Sequence, residues 1–199
     1  SLTPETDTGS LQNDLITKNL KPTIKGASEK GAQITILDTG NKEELELAKV
    51  FADSSGKFEY SFQQPLAKGE NTITIRATDS ANNSNEEVKT ISVDTKAELT
   101  LEVKTDLNEP SKSFFNNDES LIGFSGTAEK GSIIQVTVDN AEGKTVWEQA
   151  KIGASSNGSW STSDFTSTLA DGTYLIKAGV VDLAGNTATS ELDITMDRI

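Results

Sequence analysis

The chain has no cysteine and no histidine in 199 residues. Without cysteine there is no disulfide, no thiolate zinc site and no thiol nucleophile. Without histidine the commonest general base near neutral pH is missing. Aromatic residues make up only 6% of the chain and hydrophobic residues 34%. That suits small β domains with thin cores better than one large enzyme core. No run of 18 apolar residues occurs, so no segment reads as inserted in a membrane. Positive charge is also scarce: 18 Lys and Arg stand against 31 Asp and Glu, for a net charge of −13 and a pI near 4.4. Such a field repels nucleic acid and excludes it as a partner class. The N-terminus, SLTPETDTG, lacks an apolar signal core, and the chain reads as a piece of something longer.

Short motifs of known chemistry are missing too. No loop gives the D-x-[DN]-x-[DN]-G pattern of an EF-hand, and GxSxG, GxGxxG and P-loop patterns are absent. A glycosidase needs two carboxylates about 5 to 9.5 Å apart in a cleft lined by aromatics. So few aromatics, with the acids duplicated in turn loops, argue against an enzyme.

What the chain does have is repetition. GASEKGAQITI at 26–36 answers GTAEKGSIIQV at 126–136; SSGKFEY at 54–60 answers SNGSWST at 156–162; LAKGENTITIRATD at 66–79 answers LADGTYLIKAGVVD at 169–182. The offset drifts from 100 to 103, as small loop insertions in the second copy would produce. Two homologous units, 1–95 and 96–199, follow. Each reads as strands. Ile34 and Ile36 alternate with polar neighbours, as do Ile73, Ile75 and Ala77; Ile134, Val136, Val138 and Ile176, Ala178, Val180 repeat the pattern. Turn signals separate the runs, among them Ser55-Gly56, Lys68-Gly69, Asn157-Gly158 and Asp171-Gly172. About seven short strands per hundred residues predict an all-β chain of two tandem immunoglobulin-like antiparallel β-sandwiches arranged end to end. KEELELAK at 42–49 is helix-like in composition but is read as strand or loop. Phe58 and Trp160, each just after a turn glycine, read as core anchors rather than sugar platforms. Trp147 has no aromatic counterpart in the first unit.

The acids repeat as well. Asp79, Asn83 and Asp94 match Asp182, Asn186 and Asp197 at identical spacings. In such a sandwich Asp79 and Asp182 end the sixth strand, at the pole where Glu29 and Glu129 sit. Asp94 ends the first unit at the opposite pole and leads into the second. With the units stacked, Asp94, Glu129, Asp182 and Asn186 converge on the joint. Like charges so close raise one another's pKa, and a hard divalent cation reverses the sign of the interaction. Calcium takes six to eight oxygen ligands of these kinds; magnesium prefers a stricter octahedral cage, and zinc and copper prefer nitrogen and sulfur. The spacing alone reads equally well as an Asx-stabilised turn with Asp94 a solvated linker acid. The convergence at one pole tilts the reading to calcium. A second, intradomain cluster is Asp7 and Asp14 in ETDTGSLQND, with Asp106 and Asp118 as its counterparts in a longer, altered insert.

DTGSLQNDLIT, KPTIKGASEKG, LADGTYLIKA, DLAGN and ITMD together resemble the bacterial Ig-like repeats of giant type I-secreted adhesins of Gram-negative bacteria, RTX-type and biofilm-associated adhesins among them. The resemblance covers essentially the whole chain, twice; DSANN in the first unit departs from the glycine of DLAGN. It implies a monomeric extender module on the extracellular bacterial surface, whose partners are the adjacent Ig-like repeats of its own chain. It further implies calcium at the joints. Asp94, Glu129, Asp182 and Asn186 would hold the joint ion, Glu29, Asp79 and Asn83 would serve a preceding unit, and Asp197 a following one. The alternative is a ligand- or glycan-binding adhesive module, for which Trp147 and the FFNND loop at 114–118 are the unshared features.

Overall fold

The computed structural model describes residues 1–40, 44–105, 113–115, 121–163 and 169–197. Among them there is no helix, and so none long and apolar enough to cross a membrane. The chain divides into two compact units, one of Ser1–Thr95 with Leu183–Gly185, the other of Lys96–Asp182 with Asn186–Ile199.

In the first unit the strands are β1 (Ile16–Thr17), β2 (Thr23–Ala27), β3 (Gln33–Asp38), β4 (Leu45–Phe51), β5 (Lys57–Ser61), β6 (Gly69–Thr78) and β7 (Ser84–Val93). One sheet has the order β1-β7-β6-β3-β4, and β2 pairs with β5 in the other. Leu2 adds a bridge to Ile24 at the edge of the small sheet. β3 is flanked on both sides, by β6 and β4, and Thr35 and Leu37 are buried along with the expected Ile34 and Ile36. Leu2, Ile24, Ile34, Ile36, Phe58, Phe62, Ile73, Ile91 and Val93 fill the core. Each such aliphatic side chain contributes about 1.5–3 kcal/mol when removed from water.

KEELELAK does not coil. Its described part joins β4, paired antiparallel with β3 from Gln33↔Phe51 to Asp38↔Leu45. Pairing on an open edge outweighs the helix propensity of Glu, Leu and Lys, while its charged side chains stay toward water.

In the second unit the strands are β8 (Glu102–Thr105), β9 (Phe114–Phe115), β10 (Leu121–Thr127), β11 (Ile133–Asn140), β12 (Thr145–Gly153), β13 (Ser159–Ser161), β14 (Gly172–Val181) and β15 (Thr187–Met196). The sheets run β12-β11-β14-β15-β9 and β13-β10-β8. Ile134, Val136, Val138, Ile176, Ala178 and Val180 are all buried, as their alternation predicts. Trp147 packs against this core with its ring 5.9 Å from that of Phe124.

The two aromatic anchors are explained by the glycines opposite them. Gly26 pairs with Phe58 and Gly126 with Trp160. A β-carbon at Gly26 would lie 2.6 Å from the Phe58 ring, and one at Gly126 3.0 Å from the Trp160 ring and 2.0 Å from the Thr100 carbonyl oxygen. The ring lies over a strand glycine and covers backbone that no side chain protects. Both aromatics are buried, at 8% and 3% exposure, and so offer no platform to a sugar.

The sandwich is not wholly antiparallel. β1 runs parallel to β7, pairing Ile16 with Ser92 and Thr17 with Val93. β9 runs parallel to β15, pairing Phe114 with Thr195 and Phe115 with Met196. Two-residue strands are too short to show a period in sequence.

Candidate metal centres

The DxxxN frame closes the β6–β7 hairpin. Asp79 Oδ1 accepts the amides of Ala81 and Asn83, both at 2.8 Å, and Asp79 Oδ2 accepts Asn83 Nδ2 at 2.8 Å. The Asp79 amide donates to the Asn83 carbonyl at 3.0 Å. The hydrogen bonds from Asn83, then from Ala81, hold the Asp79 carboxyl below its ordinary pKa. The second unit repeats the lock: Asp182 Oδ1 accepts the Asn186 amide and Oδ2 its Nδ2, both at 2.8 Å, and the Asp182 amide donates to the Asn186 carbonyl at 3.1 Å. DSANN tolerates losing the glycine of DLAGN because Asn82 takes the left-handed conformation itself, at φ 65°, where Gly185 has φ 83°. An Asx-stabilised turn is therefore a full structural account of why Asp and Asn recur four residues apart. Each carboxylate oxygen keeps lone-pair capacity beyond these bonds, so the turn and a cation are compatible.

Glu29 and Glu129 occupy equivalent turns, in which Ala32 and Ser132 donate their amides to the glutamate carbonyls at 3.0 Å. In the first unit Glu29, Asp79 and Asn83 line one shallow depression of about 160 Å³ with Ser28, Ala32 and Ser84. In the second unit carboxylate oxygens of Glu129 and Asp182 lie within 4.8 Å of each other. Each unit by itself thus brings together the two acids that sequence reasoning placed at one pole. The donor set is all oxygen and fits a hard cation.

Asp94 follows β7 and is half-buried; its amide donates to the Thr17 carbonyl at 2.9 Å. Asp197 follows β15 in the same way, its amide donating to the Phe115 carbonyl at 2.8 Å. The backbone at these two acids is held by the short parallel strand of its own unit.

Asp7 and Asp14 flank the loop that leads into β1. Asp7 Oδ2 accepts the Asn13 amide at 2.6 Å, and Asp14 Oδ1 accepts the Ile16 amide at 3.0 Å. The other oxygen of each, Asp7 Oδ1 and Asp14 Oδ2, is buried without a hydrogen-bond partner. Sequence shows the two acids but not this burial. Asp106 and Asp118 lie outside the described residues. The strand register makes Phe114–Phe115 the counterpart of Ile16–Thr17.

The bacterial Ig-like domain family matches residues 1–95 and again 99–198. Among curated proteins no relative matches the sequence. Among solved structures, a tetra-tandem repeat in the extending region of a large adhesion protein is 19% identical with a TM-score of 0.43, over 90% of this chain and 46% of that one. A Ca2+-stabilised adhesin that helps an Antarctic bacterium bind ice is 19% identical with a TM-score of 0.45, over 100% of this chain and 50% of that one. A structure of a 1.5-MDa bacterial ice-binding adhesin, concerned with host cell surface retention, is 18% identical with a TM-score of 0.45, over 96% of this chain and 63% of that one. The chain spans about half the length of the first two. With nearly all of its residues matched, once in each unit, the chain belongs to the bacterial Ig-like domain family.

Proposed function

We propose that this chain is an extender segment of a large bacterial surface adhesin, two spacers whose joint is stiffened by calcium. Asp94, Glu129, Asp182 and Asn186 hold the joint ion. Glu29, Asp79 and Asn83 serve a preceding unit and Asp197 a following one. The observation that carries this reading is the duplication of one acidic frame at one place in the fold. Glu29 shares a depression with Asp79, and the oxygens of Glu129 and Asp182 approach within 4.8 Å. Paired carboxylates that close repel each other, and a divalent cation between them reverses the sign of the interaction.

Extracellular modules bind calcium at about 10⁻⁴ to 10⁻³ M, so the segment stiffens outside the cell and stays slack within it. That suits export of an unfolded chain by type I secretion, to the surface of a Gram-negative bacterium. The segment is monomeric, its partners are neighbouring repeats, and it performs no catalysis.

The second reading is an adhesive module that binds a glycan or another ligand. A groove of about 630 Å³ over the β8-β10-β13 face of the second unit favours it. A groove of about 590 Å³ lies over the equivalent β2-β5 face of the first unit. A feature present in both units belongs to the framework, and the extender reading is preferred.

Small-angle X-ray scattering separates the two. In millimolar calcium the chain is expected to give one extended conformation. In excess EGTA, in magnesium alone, or as Asp94→Ala it is expected to give a flexible distribution. A profile indifferent to calcium would overturn the joint ion, and glycan-array binding by the same sample would favour the adhesive module.

A further inference from the structure

The turn between β12 and β13 and its counterpart between β4 and β5 share one backbone. Asp53 and Ser155 donate their amides to the carbonyls of Lys57 and Ser159 at 2.8 and 2.9 Å. Gly56 and Gly158 donate theirs to the carbonyls of Asp53 and Ser155 at 3.0 and 2.9 Å. The side-chain acceptor inside the turn differs. In the first unit it is a carboxylate: Asp53 Oδ1 accepts the Ser55 amide and hydroxyl, both at 2.7 Å, and the Lys57 amide at 2.9 Å. In the second it is a primary amide. Asn157 Oδ1 accepts the Ser159 amide at 3.1 Å and the Ser159 hydroxyl at 2.7 Å, with the Ser155 hydroxyl also within reach. Asn157 is exposed, and its Nδ2 donates to no group among the described residues. The residue after it is Gly158, in the left-handed conformation at φ 83°.

We propose that Asn157 is a site of self-modification, which the chain converts without an enzyme to a carboxylate that closes this turn as Asp53 closes the other. The Gly158 amide nitrogen attacks Asn157 Cγ and gives up its proton to water, Nδ2 leaves as ammonia, and a cyclic imide remains. Water then opens the imide, adding a hydroxyl to one carbonyl carbon and returning a proton to the nitrogen. Opening at Cγ leaves aspartate; opening at the main-chain carbonyl leaves isoaspartate, with an extra carbon in the backbone. A following glycine puts no β-carbon in the way of the ring. The donors on Oδ1 favour the attack, because they stabilise the negative charge that gathers there. The Gly158–Ser155 hydrogen bond has to open first, which an exposed turn permits. The same donors bias the product. A carboxylate at this position keeps them and binds them more strongly than an amide does. In the first unit such donors, the Ser55 hydroxyl foremost, hold the Asp53 carboxyl below its ordinary pKa. Isoaspartate instead displaces Gly158, whose carbonyl accepts the Ala128 amide at 2.8 Å. Ser55-Gly56 offers no side-chain amide to lose, so at this turn the reaction belongs to the second unit alone.

Incubation of the unaltered full chain at neutral and at mildly alkaline pH, followed by peptide mass spectrometry, tests the proposal without recourse to a variant. Conversion at Asn157 is expected about tenfold ahead of that at Asn83 and Asn186, whose Nδ2 groups are held by Asp79 and Asp182. It should quicken at the higher pH, since the attacking nitrogen loses a proton. No conversion at Asn157, or equal rates at the three asparagines, would overturn the site. Fragmentation that separates aspartate from isoaspartate is expected to find aspartate in excess. Ser155→Ala with Ser159→Ala should shift the product toward isoaspartate, and an unchanged ratio would sink the role given to the donors. Asn157→Asp is expected to melt no lower than the native chain. A lower melting temperature would overturn the product assigned here, because the turn would then reject the carboxylate.

Discussion

The two units solve one problem at the same point with different chemistry. In the first, Thr39 Oγ1 shares a hydrogen bond with Thr74 Oγ1 at 3.0 Å. In the second, the equivalent positions carry Asp139 and Lys177, joined at 3.0 Å, with Thr145 Oγ1 donating to the same aspartate at 2.7 Å. The short parallel strands, by contrast, agree: β1 and β9 make the same two backbone bonds. The backbone frame is therefore shared, and charged groups are placed on it unit by unit. A repeated fold does not imply a repeated site.

The largest expected difference between the units comes from their cores. Ile36→Ala opens a fully buried site and should cost about 2–5 kcal/mol. Both tryptophans, Trp147 and Trp160, belong to the second unit. Urea unfolding should therefore show the far-UV transition shifting more than the tryptophan transition, and Val136→Ala should reverse that order. Coincident shifts in both variants would mean that the units unfold as one.

Next come the turn glycines. Gly56 and Gly158 have φ of 80° and 83°. A β-carbon would lie 2.4 Å from the Ser28 carbonyl oxygen at Gly56 and 2.7 Å from that of Ala128 at Gly158. Alanine at either should cost more than about 1 kcal/mol from the left-handed backbone alone, with Gly56→Ala the worse. Equal melting temperatures for the two variants would show that the closer approach has no effect.

A smaller effect concerns Asp79. Its folded pKa is depressed, chiefly by the Asn83 side chain. The stability it contributes is therefore present above the unfolded value of about 3.9 and lost as pH falls through the folded value. The difference in stability between the native chain and Asp79→Ala should be constant near pH 6 and shrink below about pH 4. A pH-independent difference would mean that the carboxylate charge is irrelevant to the turn.

The smallest is salt. The Asp139–Lys177 pair is screened by added salt and the Thr39–Thr74 pair is not. A rise in ionic strength should therefore slightly narrow the gap between the native chain and Lys177→Thr, and leave Thr74→Val unaffected relative to it.

Much of this was legible in the sequence. The offset repeats located two units, the isoleucine and valine alternation located β3, β6, β11 and β14, and the DxxxN spacing located the hairpin lock. KEELELAK, helix-like in composition but read as strand or loop, supplies β4, because strand pairing on an edge is set by tertiary context. Two features were not legible. The parallel β1 and β9 are two residues long and carry no period. The burial of one oxygen on each of Asp7 and Asp14 comes from how the loop folds back on itself, which no spacing announces.

The short parallel strands also determine how each unit bears tension. Once the N-terminal segment of a unit has come off the smaller sheet, a pull on both ends draws β1 one way and β7 the other, and likewise β9 and β15. The Leu15–Ser92 and Thr17–Asp94 bonds then lie across the load and are strained in shear together, whereas an antiparallel hairpin pulled at its ends unzips one rung at a time. At that stage a unit resists stretching with only two residues of its parallel strand engaged.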